Sequence, residues 1–375
     1  MTAAKASLFG ATVVDSGLLT QVQTQRRAGL TVLNQSSSRL TVIIPAYNEA
    51  KTLPDTLRSL ELQRLAPLEV IVVDDGSTDG TGEIARSFGV TVLRPPKNTG
   101  SKAGAQNFAL SHVLTEFTMA IDADTTLAPD AIERLMPSFA DEKITAACGM
   151  VIPRFVRTVW ERGRYIEYLF AFSFYKPIQD YYKRPLISSG CFSAYRTSEL
   201  KELGGWPTRT MAEDMDLTWS FYSRGHGVRF IPEAVCYPVE PENYHFMSKQ
   251  LRRWSHGLIQ NVRLHWHDIL QDPLLRMTVA VVAWDATMAS LAYLLLIPLL
   301  AIFVSPWFFL AYIIDIPAVA FPVLVIGFRR GEFLQAALSL PSFLVLRTIN
   351  GLFFLRALFD ELIMRRRLTV YEKGH

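Results

Sequence analysis

Carboxylates follow two apolar stretches of the sequence, and their types and spacing suit the binding of a nucleotide and a metal ion. Asp74-Asp75-Gly76-Ser77-Thr78-Asp79 follows Val70–Val73, and Asp122-Ala123-Asp124 follows Thr118–Ile121. A carboxylate of the first run can accept the N3 hydrogen of a uracil ring. Asp122 and Asp124 can point the same way at a strand end and supply hard oxygen ligands to Mg²⁺ or Mn²⁺ on a diphosphate.

Both acidic runs also have structural explanations. Asp79 or Ser77 can cap the next helix and Gly76 can supply a turn. About one Asp-x-Asp triplet is expected by chance in a chain of 375 residues, and Asp214-Met215-Asp216 is a second instance. The position of Asp122 and Asp124 after a strand is therefore the stronger argument.

A third acidic motif, Ala212-Glu213-Asp214, follows Gly204-Gly205-Trp206-Pro207. A carboxylate on a loop here can take the proton from an acceptor hydroxyl while that oxygen attacks a sugar C1. The same residues can instead be the negatively charged first turn of a helix. Both interpretations stay open at the level of sequence.

The fourth motif is Gln250-Leu251-Arg252-Arg253-Trp254. On a helix, Gln250, Arg253 and Trp254 share one face because they stand at i, i+3 and i+4. Arg253 suits a diphosphate leaving group, and an indole suits the C–H surface of a pyranose. Arg and Trp also anchor helices at membrane interfaces, which is the alternative.

The elements that must position these residues follow from the apolar pattern. Strands are predicted at Leu40–Ile44, Val70–Val73, Val90–Leu93 and Thr118–Ile121, and helices near Thr52–Leu62, Thr81–Phe88, Ala103–Leu114 and Pro129–Phe139. This alternation, from Leu40 to about Val151, predicts an α/β fold with a parallel sheet of βαβ units. Ligands of such sheets bind beyond the carboxyl ends of the strands, where the first two acidic runs lie.

Composition divides the chain into two unlike parts. A mean hydropathy of +0.18 is high for a soluble protein, whereas 19% charged residues is too many for a wholly intramembrane one. The 38 Lys and Arg against 35 Asp and Glu give a net charge of only +3, which argues against a nucleic-acid binder. Three scattered cysteines without metal-site spacing indicate a reduced compartment. Residues 1–39 lack an uninterrupted apolar run, so we expect the chain to start in the cytosol.

Apolar segments dominate the C-terminal part. Met277–Val304 and Trp307–Phe328 each contain one charge, Asp285 and Asp315, and each is long enough to cross about 30 Å of hydrocarbon. Phe333–Met364 is interrupted by Pro341 and several charges, so it can cross, re-enter or lie flat. Arg329-Arg330 and Arg365-Arg366-Arg367 lie on either side of the third segment, and both clusters favour the cytosolic side. These two preferences conflict if the third segment crosses the membrane once.

These patterns predict five regions. They are an N-terminal lead-in at 1–39, a catalytic domain at 40–250, an interfacial helix at 251–275, a transmembrane region at 276–364 and a basic tail at 365–375. Within the second region, the aromatic and basic residues of 155–184 fit either a helix in the lipid headgroup layer or a core helix with a solvated basic face.

Taken in order, the motifs resemble the processive membrane members of glycosyltransferase family 2, which include hyaluronan, chitin, cellulose and poly-N-acetylglucosamine synthases. Further support comes from Ile44-Pro45-Ala46-Tyr47-Asn48-Glu49, from Asn98-Thr99-Gly100-Ser101-Lys102 with its continuation to Asn107, and from Ser189-Gly190-Cys191. The resemblance covers about Leu40 to Gly257. The third acidic motif departs from it, because Ala212 stands where Thr usually leads.

The resemblance implies a GT-A (Rossmann-like) domain, a nucleoside-diphosphate sugar donor and inversion at the anomeric carbon. It assigns the nucleotide to Tyr47, Glu49, Asp75 and Lys102, the diphosphate and metal to Asp122 and Asp124, and the base role to Asp214. It further implies that Gln250, Arg253 and Trp254 close over the diphosphate and acceptor sugar, and that Ser189, Gly190 and Cys191 lie near the acceptor channel. We count Asp74 and Glu213 among the substrate-binding residues.

We expect a multi-pass protein of the plasma membrane with a cytoplasmic, metal-dependent catalytic domain. It would transfer N-acetylglucosamine from UDP to a growing β-linked polysaccharide or oligosaccharide. Transfer of one sugar to a lipid such as ceramide or a polyprenyl phosphate is the alternative. A non-catalytic nucleotide-sugar sensor and a transporter using Asp285 and Asp315 are the other classes, but these carboxylates can instead pair with Arg347 or Arg356. Because the chain has few clear spans, it can also form a homo-oligomer. Its basic clusters can contact anionic lipids.

Overall fold

The computed structural model describes residues 39–314 and 316–369. The predicted lead-in, apart from Arg39, therefore lies outside the described residues, as do Asp315 and the end of the basic tail. The described part begins with strand β1 and ends just beyond a long C-terminal helix.

Eight strands form one sheet in the order β3-β2-β1-β4-β7-β6-β8-β5 within the described residues. Their bounds are β1 Leu40–Ala46, β2 Glu69–Asp74, β3 Thr91–Leu93, β4 Phe117–Ile121, β5 Thr126–Leu127, β6 Ile144–Val151, β7 Phe192–Arg196 and β8 Gly227–Tyr237. The first four strands pair in parallel, as predicted. The β-branched residues of β1 and β4 are buried on both faces, which is typical of a parallel sheet covered by helices.

Helices cover both faces of the sheet and continue beyond it. They are α1 Leu53–Glu61, α2 Thr81–Ser87, α3 Lys102–Leu110, α4 Ala131–Leu135, α5 Val159–Phe170, α6 Lys176–Tyr181, α7 Thr197–Glu202, α8 Glu213–Ser223, α9 Tyr244–Leu264, α10 Trp266–Gln271, α11 Pro273–Leu291, α12 Ile297–Phe303, α13 Ile316–Arg329 and α14 Phe333–Leu358. Helix α9 runs unbroken across residue 250, so the border predicted there falls inside a helix.

Two helices end earlier than the sequence pattern predicts. Helix α3 stops at Leu110, where the Ser111 hydroxyl turns back to donate to the Phe108 carbonyl. Helix α4 is followed by a 3₁₀ turn at Met136–Ala140. Pro137 lies in that turn and lacks the N–H that an α-helical bond requires.

The whole sheet is mixed, because it also includes strands that follow the region from Leu40 to about Val151 predicted as parallel units. Strand β7 pairs antiparallel with β4 and with β6. The chain reaches β7 from helix α6 rather than through a crossover from β4, so β7 begins where β4 ends. Ile121 therefore pairs with Phe192, and the start of β7 lies beside Asp122 and Asp124. The antiparallel strand thus brings Ser189-Gly190-Cys191 to the acidic edge of the parallel half.

Three C-terminal helical segments are long and apolar enough to cross a membrane, judged by length and composition within the described residues. They are Pro273–Phe303, Pro306–Arg329 and Phe333–Ile363. The third is the segment that the sequence left open. Asp285 forms an ion pair with Arg347 at 2.9 Å, one of the two partners considered for it. An intramembrane carboxylate paired in this way needs no transport role to explain it.

Helix α5, in the aromatic and basic region 155–184, packs on α14, which belongs to the third candidate membrane span. A Cβ at Gly163 would lie 2.9 Å from the Leu346 Cβ, so this glycine permits the close approach. The helix begins with a capping box between Thr158 and Glu161. Because Arg164 is buried, the basic face of α5 is in part internal. Whether the region also lies at the lipid headgroups stays a prediction.

Candidate active site

One cavity of about 810 Å³ opens at the carboxyl ends of the parallel strands. Asp124 reaches it from the end of β4, Asp214 from the start of α8 and Trp254 from α9. Of the residues that the sequence singled out, the cavity is lined by Tyr47, Glu49, Asp75, Lys102, Asp122, Asp124, Ser189, Gly190, Cys191, Glu213, Asp214, Gln250, Arg253 and Trp254. Segments distant in sequence therefore converge on one space, of a size that holds a sugar nucleotide.

The end of β2 contributes one of its two carboxylates to the cavity. Both carboxylate oxygens of Asp75 accept hydrogen bonds from Thr99, one from its backbone N–H and one from its hydroxyl, each at 2.8 Å. Each oxygen keeps a further acceptor position. Asp75 therefore fixes the loop before α3 while it faces the cavity.

Asp74 does not line the cavity, in contrast to its place among the predicted substrate-binding residues. Its buried carboxylate accepts a hydrogen bond from the Ser77 backbone N–H and pairs with Arg94 at 3.1 Å. Asp79 likewise accepts from the backbone N–H groups of Ala50 and Thr81. These two carboxylates hold loops, and the N-cap residue of α2 is Gly80 rather than the predicted Asp79 or Ser77.

Lys102 links the donor side of the cavity to the segment before β7. Its ammonium group donates to the Gly190 carbonyl at 2.9 Å and forms an ion pair with Asp122. The Gly190 N–H in turn donates to Asp214 Oδ2 at 2.9 Å. Gly190 thus joins the two acidic motifs, and a Cβ there would lie 2.9 Å from the Asp214 carboxylate.

Asp214 lies in the first turn of α8 and also faces the cavity. The motif is therefore both a negatively charged helix start and a carboxylate that an acceptor could reach. Asp214 lines the cavity, and its Oδ1 accepts from the Met215 backbone N–H. Asp216 points away from the cavity lining and is held by Arg209 and His265, each at 2.8 Å. Within Asp214-Met215-Asp216, one carboxylate therefore faces the cavity and the other anchors the helix.

Helix α9 crosses the cavity close to the loop that carries Asp214. A Cβ at Gly257 would lie 2.7 Å from the Ala212 Cβ, so only glycine permits this approach. Asn261 fastens the contact by donating to the Ala212 carbonyl at 3.1 Å. The helix therefore presents Gln250, Arg253 and Trp254 on the side opposite the strand ends.

Arg164 orients the Gln250 and Trp254 side chains of α9. Its guanidinium donates to Gln250 Oε1 at 2.8 Å and lies 4.5 Å from the centre of the Trp254 ring. The other end of the Gln250 amide donates to Glu240 at 3.5 Å. The amide is thereby fixed in one orientation, and the indole stacks on a buried cation.

Within the described residues, no group of three or more His, Cys, Asp or Glu side chains is arranged to hold a metal ion. Asp122 and Asp124 both face the cavity beside Lys102. Mg²⁺ is commonly held by one or two carboxylates together with substrate phosphates and water. Two carboxylates at a diphosphate site therefore fit a divalent cation that binds with its substrate.

Residues 41–204 match the family model described as glycosyl transferase family 2. This region is therefore similar to family 2 glycosyltransferase domains. The match includes the strand-end carboxylates of β2 and β4 and the segment before β7. Asp214 and α9 lie outside it and reach the domain through the fold.

Two curated relatives belong to staphylococci. The chain is 28% identical over 223 residues to poly-beta-1,6-N-acetyl-D-glucosamine synthase of Staphylococcus aureus, covering 58% of this chain and 54% of that protein. It is 28% identical over 229 residues to the protein of that name in Staphylococcus epidermidis, covering 60% and 55%. The chain thus spans about half the length of the curated relatives it matches.

A solved structure shares the architecture of nearly the whole chain. It is a mannosyltransferase from Pyrobaculum calidifontis in complex with GDP-Man and Mn²⁺, with a TM-score of 0.58 and 21% sequence identity. The alignment covers 93% of this chain and 96% of that one. Together with the family match, this likeness confirms the GT-A fold of the domain.

The electrostatic surroundings of Asp214 favour a base that works near neutral pH. Burial raises the pKa of Asp214 to about 6, and the negative charge of Glu213 adds to the rise. Lys102 and the Gly190 N–H act in the opposite direction. Groups with such shifted values are frequent at catalytic positions.

If Asp214 is the general base predicted from the sequence, the rate of sugar transfer should fall in acid because the protonated carboxyl group cannot accept a proton. Since its pKa is raised to about 6, kcat/KM should drop by about tenfold per pH unit below that value. Glu213→Gln removes a charge that raises the pKa, so the acid limb should move to lower pH. Measurements between about pH 4.5 and pH 8, with UDP binding as the control, test this. An acid limb near the ordinary value of an aspartate would contradict it.

Three titratable residues of the cavity wall were not among the predicted site residues: Tyr168, Lys176 and Glu240. Glu240 is buried and accepts from the Tyr168 hydroxyl at 2.9 Å. Burial raises the pKa of Glu240, and the positive charge of Arg164 opposes that rise. None of the three stands in a motif, and only the unusual richness of 155–184 in aromatic and basic residues pointed to that region.

Proposed function

We propose that this protein is a membrane-bound inverting glycosyltransferase that transfers N-acetylglucosamine from a UDP-sugar to a growing β-linked polysaccharide or oligosaccharide. The observation that carries the proposal is the shared cavity of Asp124, Asp214 and Trp254 at the strand ends of a family 2 domain. The name of the staphylococcal relatives supports the sugar and the polymeric product.

The donor occupies the strand-end side of the cavity in this proposal. Tyr47, Glu49, Asp75 and Lys102 bind the nucleotide, and Asp75 accepts the N3 hydrogen of uracil on an oxygen already oriented by Thr99. Arg253 supplies a positive charge to the leaving diphosphate. Trp254 offers its exposed indole face to the acceptor sugar, while its other face rests near Arg164.

A divalent cation, Mg²⁺ or Mn²⁺, would be held by Asp124 and Asp122 in this proposal. When bound, it would stabilise the charge that develops on the leaving diphosphate oxygens as a Lewis acid. The Mn²⁺ named with the Pyrobaculum mannosyltransferase supports the choice of ion.

Asp214 serves as the general base. The acceptor oxygen attacks C1 of the donor sugar, its proton passes to Asp214, and the bond from C1 to the diphosphate oxygen breaks. A single displacement inverts the centre, so an α-linked donor gives a β-glycoside. The hydrogen bond from the Gly190 N–H fixes the carboxylate during this step.

Transfer to a lipid acceptor is the second candidate, and one observation favours it. Val282, on the membrane-length segment Pro273–Phe303, lines the same cavity as Asp214. The cavity wall is therefore continuous with an apolar helix along which a lipid chain can lie. A polyprenyl phosphate or ceramide would then receive a single sugar.

The decisive experiment supplies the purified full-length protein with a panel of radiolabelled UDP-sugars and sizes the product. A ladder or polymer made from UDP-N-acetylglucosamine supports the first proposal, whereas a single glycolipid supports the second. Release of UDP above background excludes a protein that only senses the nucleotide. Failure with every donor would overturn both enzymatic proposals.

We further propose that the protein crosses the plasma membrane several times and keeps its catalytic domain in the cytoplasm. The three segments long enough to span support the first part. Nucleotide sugars made in the cytosol would then reach the cavity directly. Labelling of single engineered cysteines in sealed cells can check the side.

Metal removal should weaken donor binding because Asp124 and the diphosphate would share the cation. We expect Mn²⁺ to tighten UDP binding at least about tenfold, equal to about 1.4 kcal/mol, and Asp124→Asn to lose this gain. Isothermal titration with and without EDTA measures it. Asp130→Asn, whose carboxylate pairs with Arg134, is the control variant. Equal UDP affinity with and without metal would contradict the assignment.

A further inference from the structure

Lys176 is a buried cation in the wall of the cavity, and neither the proposed donor site nor the base uses it. Its side chain lies at the start of α6, and only 6% of the residue is exposed. The ammonium group donates to the Ser189 hydroxyl at 2.8 Å and lies 3.5 Å from the Cys148 sulfur. Within residues 39–314 and 316–369, no carboxylate lies within 4.0 Å of the Lys176 Nζ.

The protein compensates this charge only in part. The Lys176 Nζ lies 4.4 Å from the ring centre of Phe172 and 5.4 Å from that of Phe230. Such cation–π contacts return less free energy than the desolvation of a buried ion costs. A thiol is a weak acceptor for the second of the three ammonium hydrogens. An anion in the cavity would supply the missing compensation.

A local change of helix geometry directs Lys176 to the cavity. The residues between α5 and α6, Ala171–Tyr175, form a π-helical turn. Ala171 and Lys176 are five residues apart, the spacing of a π-helical hydrogen bond, and both line the cavity. Single π turns are frequent at functional sites. The backbone thus departs from regular α-helix where it presents the lysine.

The position of Lys176 distinguishes it from the cations near the donor. Its partner Ser189 directly precedes Gly190, whose N–H holds the base Asp214 and whose carbonyl is bound by Lys102. Lys102 is the lysine paired with Asp122, in the proposed diphosphate region. Lys176 adjoins the base through the segment that the sequence assigns to the acceptor channel.

We propose that Lys176 binds an anionic group of the acceptor, a carboxylate or a phosphate, and so makes the enzyme selective for acidic acceptors. This inference rests on the proposed function and narrows its acceptor class, so efficient formation of a neutral homopolymer from UDP-N-acetylglucosamine alone would overturn it. The anion has two chemical sources, a uronic acid residue of a sugar chain or the phosphate of a polyprenyl phosphate. A wholly neutral acceptor would leave the lysine charge uncompensated.

The test compares acceptors that differ in charge. Purified full-length protein receives UDP-N-acetylglucosamine with a neutral N-acetylglucosamine oligosaccharide, an oligosaccharide of equal length ending in glucuronate, or a polyprenyl phosphate. We expect Lys176→Met to lower the ratio of kcat/KM for an anionic over the neutral acceptor at least about tenfold. Lys176→Arg should keep most of the ratio. The control is Lys143→Met, because Lys143 is exposed outside the cavity.

The acceptor arms identify the source of the anion. A Lys176-dependent preference for the glucuronate oligosaccharide selects a uronic acid, and one for the polyprenyl phosphate selects the lipid. An unchanged ratio for both in Lys176→Met overturns the proposal. A weaker affinity for UDP in that variant also overturns it, since Lys176 would then serve the donor.

A binding measurement separates this proposal from the proposed function. Inorganic phosphate and glucuronate should raise the thermal unfolding midpoint of the wild-type protein in the presence of UDP, and Lys176→Met should lose that rise. If no donor is turned over but the Lys176-dependent rise persists, the proposed function fails while the anion site stands. If sugar is transferred but neither anion stabilises the protein, the anion site is wrong.

Discussion

Replacing Asp214 with Asn is expected to abolish sugar transfer while UDP binding survives. General bases contribute about 10²–10⁴-fold to a rate, and a buried amide cannot take the proton of the acceptor. Asn is nearly the same size, and its carbonyl can still accept from the Gly190 N–H. The measurement pairs release of labelled UDP in the presence of acceptor with isothermal titration of UDP.

Glu213→Gln is the matched control for Asp214→Asn. Glu213 is the adjacent carboxylate and lines the same cavity, but its charge acts on Asp214 by raising its pKa. The control should therefore retain transfer at neutral pH and change only the acid limb. Equal losses of the transfer rate in the two variants would mean that the total negative charge of this helical turn matters, and that Asp214 is not a specific base. Unimpaired transfer by Asp214→Asn would remove it from the base role.

The donor side of the fold could be predicted from the sequence because its information is local. Short β-branched runs define β1, β2 and β4, and the carboxylates stand directly after two of them. Since parallel strands place their carboxyl ends at one edge, adjacency in sequence becomes adjacency in space. The positions of Asp75, Asp122 and Asp124 at the cavity follow from this rule alone.

The acceptor side could not be derived from the residues in that way because it depends on long-range packing. Ser189-Gly190-Cys191 reaches the acidic edge only because β7 runs antiparallel beside β4. Lys176 faces the cavity through a π turn, which shifts the helical periodicity that a sequence pattern relies on. The family resemblance named the segment before β7, but neither Lys176 nor Glu240.

The same limit applies to charges in apolar surroundings. The sequence left Asp285 with two partners, Arg347 and Arg356, which stand nine positions apart on one predicted segment. The structure pairs Asp285 with Arg347. Arg164 was counted among the basic residues of an interfacial helix, yet it is buried. Arg164 and Glu240 stand 76 positions apart in the sequence, yet their side chains are 3.5 Å apart in the structure. No sequence pattern marks such a distant cation and carboxylate as a pair.

Arg164 contacts several side chains of α5, α9 and the cavity wall, so we expect its replacement to have the second of the two largest effects. It pairs with Glu167 at 2.6 Å and with Glu240 at 3.5 Å. It also donates to Gln250 and lies against Trp254 and Tyr168. Two carboxylates and the two motif residues of α9 therefore depend on one guanidinium.

We expect Arg164→Met to destabilise the protein by about 3–5 kcal/mol, the usual cost of leaving buried charges without a partner. Met fills much of the volume, so lost packing contributes little. Because Arg164 opposes the burial that raises the pKa of Glu240, its removal should raise that pKa further. The inactivation half-life of the detergent-purified protein at fixed temperature measures the loss of stability.

A double variant distinguishes two roles of Arg164, the compensation of buried negative charge and the positioning of the α9 side chains. Arg164→Met with Glu240→Gln removes one buried charge of each sign, so it should recover part of the lost stability. It should not recover transfer, because Gln250 and Trp254 still lack the group that orients them on α9. We therefore expect kcat to stay low while the half-life improves. Recovery of both together would mean that Arg164 acts through stability alone, and the orientation of the Gln-x-x-Arg-Trp helix would then need another cause.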